Sequence, residues 1–188
     1  MTITNKFLTT LVRLGTEQIP VKKVYRRMRD RDLFVMAYGN IAQNKGRLTR
    51  GVTDETIDGM SLDKIDTILQ DLENGTYRWS PARRTYIPKT NGTMRPLGIP
   101  VWRDKLTQEV MRSCLECYYE PIFRDCSHGF RPGRGCETAL VTIKKEWRGV
   151  DWFIEGDIKG CFDNIPHDKI LECVGQSFQY NRFQKLLR

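Results

Sequence analysis

The chain has 188 residues, which is enough for one large domain or two smaller lobes around a hydrophobic core. Hydrophobic residues make up 39% of it and charged residues 29%, a balance that is typical of a soluble globular protein and excludes an intrinsically disordered one. Lys and Arg outnumber Asp and Glu by 31 to 23, and the net charge of +8 favours a polyanionic partner.

The compartment of the protein is indicated by what the sequence lacks and by its cysteines. No apolar run approaches the length of a membrane span, and no N-terminal stretch has the pattern of a leader peptide. Six cysteines in such a chain are typical of reduced thiols rather than of a disulfide framework. We therefore expect a cytoplasmic protein with no membrane partner.

The N-terminal third carries the first cluster of basic residues, in segment 22–31. Pro20 suits the start of a helix, and apolar residues follow it at helical spacing. A second apolar set in segment 33–41 predicts that this helix continues or restarts. The cluster is either the solvated face of a helix or a binding surface for phosphates, and both interpretations stay open. Its basic members are Lys22, Lys23, Arg26, Arg27, Arg29 and Arg31.

Residues 44–120 are predicted to contain a loop, a helix, a hairpin and a second helix. The loop ends at Ser61, which is well placed to cap a helix that Asn74-Gly75 closes. Residues 90–93 (Thr-Asn-Gly-Thr) join two extended runs and predict a β-hairpin, whose prolines favour exposed edge strands. The next apolar pattern predicts a helix that ends before Pro121.

The C-terminal third begins with a loop rich in Gly, Pro and Arg at 127–135, which a helical pattern follows. Trp152–Ile158 is an apolar run that predicts a strand, and Pro166 to about Phe178 predicts a further helix. Asp157 lies near the end of the predicted strand, where a carboxylate can hold a hard cation such as Mg²⁺. A lone Asp at a strand end more commonly caps or solvates it, so a metal site needs a second observation.

Three sequence blocks provide that second observation. Residues 86–100 have the pattern Y-I-P-K-x-N-G-x-x-R-P-L-G-I-P, and residues 127–134 have S-H-G-F-R-P-G-R. Residues 157–167 have the pattern D-I-x-x-C-F-D-x-I-x-H. In this order and at this spacing the blocks resemble those of reverse transcriptases. The closest resemblance is to the group II intron-encoded reverse transcriptases, or maturases.

The resemblance implies an α+β fold: reverse-transcriptase fingers with a partial palm, mainly helical, with a β-hairpin and the first palm strand. It implies an RNA-binding N-terminal extension and template-covering loop at 1–60, fingers at 61–150 and the start of the palm at 151–188. The family completes its metal site with a Tyr-x-Asp-Asp hairpin, and this sequence contains no Asp-Asp pair. We therefore expect the rest of the palm and the thumb to be absent, and the 188-residue chain alone to be inactive as a polymerase.

The resemblance also implies roles for individual residues. Asp157 corresponds to the first catalytic aspartate, which with the backbone carbonyl of Ile158 would help to hold two Mg²⁺ ions in the complete enzyme. Phe162 corresponds to a steric gate against the 2′ hydroxyl of the nucleotide. The basic residues implied are Lys89, Arg95 and Arg131 for the nucleotide, and Lys22, Lys23, Arg26, Arg27 and Arg134 for RNA and template.

Most of these residues have a simpler explanation when the resemblance is set aside. Phe162 is then an ordinary core residue. Lys89 and Arg95, which we expect to face each other across the hairpin, are then solvated surface. Arg131 and Arg134 are then parts of an ordinary turn.

The function that the resemblance implies is that of an RNA-directed DNA polymerase and intron maturase. Its partners would be intron RNA, an RNA template with a DNA primer, and dNTPs, in a bacterial cytoplasm or an organellar matrix. An unpaired strand edge near Asp157 would favour self-association, so a homodimer is one of the expected partners. The alternative is an RNA-binding splicing module without polymerase activity. A retron or CRISPR-associated reverse transcriptase is a further option, which residues 129–134 and the template-covering loop disfavour.

Overall fold

The computed structural model describes residues 3–90, 92–158, 160–179 and 181–188, without the side chains of Ile3, Phe162 and Asp163. The chain forms two compact units. The first unit contains the chain up to Thr9 together with Lys23–Glu116. The second contains Thr10–Lys22 together with Cys117–Arg188. The predicted regions 1–60, 61–150 and 151–188 are functional divisions and remain predictions.

The first unit consists mainly of helices around one hydrophobic core. Helix α1 (Ile3–Thr16) begins in this unit, and α2 (Val24–Met28), α3 (Arg31–Ala42) and α4 (Leu62–Asn74) follow, with most of α5 (Trp102–Tyr119). A short 3-10 turn, Ile57–Gly59, interrupts the loop before α4. The core is formed by the buried residues Val24, Tyr25, Met28, Leu33, Phe34, Ala37, Ile41, Ile65, Ile68, Leu72, Trp102, Leu106 and Val110.

Local chemistry sets the ends of these helices. The Ser61 hydroxyl accepts a hydrogen bond of 3.3 Å from the backbone N–H of Lys64, and Gly75 has a φ of +74°, so both predicted ends of α4 are confirmed. The predicted helix start at Pro20 is wrong, because the next residue, Val21, is held in a short parallel bridge with Phe178 instead. The basic segment then continues as two helices, α2 and α3.

The predicted β-hairpin is confirmed. Strands β1 (Arg83–Pro88) and β2 (Met94–Ile99) pair antiparallel, and the Lys89 N–H donates to the Thr93 carbonyl at 2.8 Å beside the turn. Gly92 has a φ of +79°, a left-handed conformation that favours glycine. Both strands are largely exposed, as the prolines in them predict.

The second unit contains a cluster of aromatic side chains. Phe178 packs against Phe183 with ring centroids 5.3 Å apart and meets Tyr118 edge-on at 5.1 Å. These contacts anchor the C-terminal segment of the unit. The helices that begin in this unit are α6 (Cys136–Glu146), α7 (Cys161–Asn164), α8 (His167–Ser177) and α9 (Asn181–Leu187). Helices α6 and α8 agree with the prediction, whereas α1 and α9 were not predicted.

The strand predicted over Trp152–Ile158 is wrong. Residues 151–158 belong to no helix or sheet, and the Trp152 and Ile154 side chains are 89% and 100% exposed. A strand needs a neighbour that completes its hydrogen-bond ladder, and no described residue pairs with this segment. The α+β class, mainly helical with a β-hairpin, is confirmed by the rest of the chain.

The apolar faces of α6 and α8 are only partly covered. Leu140 on α6 is 65% exposed and Ile170 on α8 is 44% exposed. Helix α8 contributes no buried residue, so the apolar side of this predicted helix is not covered by other parts of the described structure. Within the described ranges, no helix combines the length and apolarity needed to cross a membrane.

Candidate nucleic-acid interface

Two predicted nucleotide-binding residues, Lys89 and Arg95, lie on the exposed hairpin. Arg95 pairs with Ile87 in the ladder. Because side chains alternate along a strand, the next pair on this face joins Lys89 to Thr93. Lys89 and Arg95 therefore lie on the same face of the hairpin but belong to two different cross-strand pairs. The expectation that they face each other directly is wrong. Among the described residues neither side chain has a bonding partner, so both can receive an anion.

Two cations hold residues 49–51 of the loop before α4 at the base of the hairpin. The Arg83 guanidinium donates to the carbonyl oxygens of Arg50 (2.9 and 3.1 Å) and Gly51 (3.1 Å). The Lys105 ammonium donates to the carbonyl of Thr49 at 2.8 Å. Burial and the nearby Arg83 charge lower the pKa of Lys105. No sequence pattern predicted these contacts, because they join residues 32 to 56 positions apart.

Asp104, near the start of α5, fixes the segment that leads into β1. Its carboxylate is buried and accepts hydrogen bonds from the Tyr77 hydroxyl (2.6 Å) and the Ser80 backbone N–H (2.8 Å). Burial, followed by the bond to Asp104, raises the pKa of Tyr77. Arg103 lies over the Tyr77 ring at 4.7 Å, and its bond to Asp71 lowers the pKa of that carboxyl. This network was also missed by the sequence analysis.

The four predicted RNA-binding cations, here called the basic arm, are Lys22, Lys23, Arg26 and Arg27, and all four are exposed. Val24 and Met28 of α2 are fully buried, so Arg26 and Arg27 are left on its outer face. No member of the arm has a carboxylate partner within the part of the chain that the structure describes. The arm therefore keeps its full charge available.

The next two basic residues differ from the arm. Arg29 forms an ion pair of 2.9 Å with Glu73, and Arg31 forms one of 2.6 Å with Asp66. Both carboxylates lie on α4, which packs beside α3 in the first unit. These pairs neutralise the two charges, so a phosphate would have to displace Glu73 or Asp66 before it could bind Arg29 or Arg31.

Arg131, a predicted nucleotide-binding residue, is built into its own loop. Its side chain is only 6% exposed, and Nε and Nη2 bond the Glu120 carboxylate at 2.9 to 3.2 Å. Nη1 donates to the carbonyls of Arg124 (2.9 Å) and Ser127 (2.8 Å). The guanidinium also lies over the Phe123 ring at 5.3 Å. This arrangement gives Arg131 a structural role and disfavours a direct bond from its guanidinium to a nucleotide. The predicted nucleotide contact of Arg131 remains a prediction.

Arg134, predicted to contact the template, is held by the same loop. Its guanidinium donates to the backbone carbonyl of Asp125 at 2.7 Å and to the Asp125 carboxylate at 2.8 Å. The Asp125 side chain is fully exposed, so this pair is weak and can exchange for a phosphate. A template contact by Arg134 remains a prediction.

Asp157 and Ile158 lie in the exposed segment 151–158. Among the described residues, no group of three Asp, Glu, His or Cys side chains is placed to hold a metal ion. One carboxylate and one carbonyl leave Mg²⁺ mostly hydrated, so the residues present do not form a complete magnesium site. The Phe162 side chain lies outside the described part of the structure, and its role as a steric gate remains a prediction.

Comparison with known families identifies this arrangement. Residues 87–185 match the family described as "Reverse transcriptase (RNA-dependent DNA polymerase)". The matched segment is more than half of the chain and includes Arg95, Arg131 and Asp157. The chain belongs to the reverse transcriptase family. In this reverse transcriptase, the matched residues include the end of β1 and all of β2 on the first unit and the segment of Asp157 on the second.

The individual relatives of this reverse transcriptase include proteins of introns. It is 49% identical over 166 residues to the group II intron-encoded protein LtrA of Lactococcus lactis subsp. cremoris, a match over 88% of this chain. It is 47% identical over 159 residues, 85% of this chain, to an uncharacterized 91 kDa protein in the cob intron of Schizosaccharomyces pombe. The predicted resemblance to group II intron reverse transcriptases is confirmed.

The matched relatives are much longer than this reverse transcriptase. The matched region is 28% of LtrA and 20% of the Schizosaccharomyces pombe protein. Nuclear intron maturase 1, mitochondrial, of Arabidopsis thaliana is 30% identical over 116 residues, which are 53% of this chain and 16% of that protein. Activities of the whole relatives therefore transfer to this chain only as proposals.

Proposed function

We propose that this chain forms the fingers and first palm segment of an RNA-directed DNA polymerase and maturase, and that it binds structured intron RNA through phosphates. The observation that carries the proposal is the contrast between the basic arm and its neighbours. Arg29 and Arg31 are neutralised by carboxylates, whereas the arm has none among the described residues. Unpaired cations in a net positive chain attract phosphates and release counterions when they bind them.

The first expected result concerns RNA binding by the 188-residue chain. Its affinity for structured RNA should fall steeply with salt, because each neutralised phosphate adds about 0.7–0.9 to the log–log slope. Replacing Lys22, Lys23, Arg26 and Arg27 together by Ala should weaken binding and flatten that slope. Filter binding over a range of salt concentrations measures both quantities.

Lys89→Ala is the control for this experiment. It removes an exposed cation without a partner, as the arm variant does, but from the hairpin. We expect Lys89→Ala to weaken RNA binding less than the arm variant does, also when the loss is divided by the number of positive charges removed. An affinity that does not depend on salt, or an equal loss per charge in both variants, would contradict the arm as the RNA anchor.

We further propose that Lys89 and Arg95 hold the triphosphate of a dNTP. Both are exposed, lie on one face of the hairpin and have no bonding partner in the described residues. Charge-assisted hydrogen bonds from ammonium and guanidinium groups to phosphate are among the stronger polar contacts in proteins. The network of Asp104 and the bonds of Arg83 would hold the base of the hairpin while its tip binds the nucleotide.

The second expected result is dNTP binding without turnover. A hydrogen bond to a charged group contributes about 1.5–3 kcal/mol, so Lys89→Ala or Arg95→Ala should weaken binding of a fluorescent dNTP about tenfold or more. Arg84→Ala is the matched control, because Arg84 pairs with Gly98 and so lies on the opposite face of the hairpin from Arg95. A loss in Arg84→Ala as large as in Arg95→Ala would contradict this site. Primer extension by this chain alone would contradict its lack of turnover.

The remaining functions belong to the complete protein. We propose that Asp157, with the carbonyl of Ile158, supplies part of the donor set for two Mg²⁺ ions, and that Phe162 excludes ribonucleotides. Bound Mg²⁺ would neutralise charge that develops on phosphate oxygens. The proposed partners are an RNA template with a DNA primer. The homodimer was expected from an open strand edge near Asp157, which this structure does not form. The proposed location is a bacterial cytoplasm or an organellar matrix.

A further inference from the structure

The geometry points to a pocket on the first unit that receives one unpaired nucleobase of the bound RNA, an inference that rests on the proposed RNA binding. The pocket has a volume of about 370 Å³. It lies where the end of α3, the start of the template-covering loop and α5 meet. A volume of this size is at the lower end of the range for small-molecule sites.

The lining of the pocket suits a flat group with a polar edge. Ile41 and Trp102 form the apolar floor of the pocket and are nearly fully buried, at 8% and 1% exposed. Asn44 and Gln108 supply two side-chain amides, and neither amide has a partner among the described residues. Each amide carries both a donor and an acceptor, which is the combination that the edge of a nucleobase requires.

Two of the charged side chains that line the pocket, Glu109 and Arg112, are hydrogen-bonded to each other. Glu109 accepts hydrogen bonds from Asn40 (3.0 Å) and Arg112 (2.7 Å). Burial acts to raise the pKa of Glu109, but these bonds outweigh it and the pKa lies below its usual value. Arg112 is also bonded to Glu116 at 2.8 Å. The carboxylate wall of the pocket is therefore fixed and ionised, and Arg112 is occupied by its two acidic neighbours.

Arg47 is the lining cation whose hydrogen-bond donors are all unused among the described residues. Lys105 is bonded to the Thr49 carbonyl at 2.8 Å, whereas Arg47 is exposed and has no partner in the described part of the chain. A free triphosphate would need several such cations, but one phosphate needs only one. A nucleotide within an RNA strand meets this condition: its base enters the pocket and its phosphate contacts Arg47.

The test compares base preference in the full chain. Binding of short labelled single-stranded RNAs composed of A, C or U is measured by fluorescence anisotropy. Bidentate hydrogen bonds from an amide at the rim to a base edge should favour one base about tenfold, the size of a good bidentate base contact. Gln108→Glu and Gln108→Ala should both remove this preference. Gln70→Glu on α4 is the control, because Gln70 is exposed, lacks a partner among the described residues and changes charge equally.

The possible results separate this inference from the proposed function. Salt-dependent RNA binding with equal affinity for the three RNAs would overturn the pocket alone. A preference that survives both Gln108 variants, or that Gln70→Glu removes as well, would also overturn it. Absence of RNA binding by the unmodified chain would overturn both the pocket and the proposed function.

Discussion

Asp157→Ala should abolish cDNA synthesis by a polypeptide that also contains the paired aspartates of the family, while its affinity for RNA stays unchanged. The proposed metal ligand contributes several kcal/mol to the chemical step, and each 1.36 kcal/mol changes the rate tenfold. We therefore expect a loss of about a thousandfold or more. Asp157 lies apart from the basic arm in sequence and is itself negatively charged, so its removal takes away no phosphate contact. Primer extension and filter binding measure the two activities.

Asp151→Ala is the matched control for this result. Asp151 is the same residue type, is exposed in the same segment, and has no hydrogen bond or ion pair within the described residues. It should keep most of the cDNA synthesis. Primer extension by the Asp157→Ala protein would refute the metal role. A complete polypeptide that binds RNA and assists splicing but makes no cDNA even with Asp157 would support the alternative, an RNA-binding splicing module.

The second large effect is expected in the stability of the first unit. Asp104→Ala would leave the Tyr77 hydroxyl and the Ser80 N–H without their acceptor in a buried site. An unsatisfied buried polar group costs about 1–3 kcal/mol, so the free energy of unfolding should fall by about 3–5 kcal/mol. Urea unfolding measures this loss. We also expect weaker dNTP binding, because Ser80 lies on the segment that leads into the hairpin.

Two further variants show whether the hydrogen bonds cause the loss. Tyr77→Phe removes one of the two donors to Asp104 and should cost less, about 1–2 kcal/mol. Asp58→Ala removes an exposed carboxylate of the same unit and should change stability by less than about 0.5 kcal/mol. A loss in Asp104→Ala no larger than in Asp58→Ala would contradict the role given to this network.

The features predicted correctly from the sequence depend on neighbouring residues. Ser61 and Gly75 end α4 through their own side-chain or backbone chemistry, and the turn at Gly92 needs only a left-handed conformation. The strand at Trp152–Ile158 was predicted wrongly because its hydrogen-bond partners must come from another segment. The sequence motif predicted Lys89 and Arg95 as phosphate-binding residues of the hairpin. Their positions in two different cross-strand pairs of one face depend on the register in which β1 and β2 pair.

By itself, the sequence determined the family of this protein, its excess of positive charge and the local ends of its helices, because motifs, charges and caps are properties of short segments. Only the tertiary structure decided which cations remain available. Arg26 and Arg31 look alike in the sequence, yet Arg31 is neutralised by Asp66, 35 residues away, and Arg26 is exposed on the outer face of α2. An ion pair depends on distance in space, and folding alone brings such carboxylates within reach.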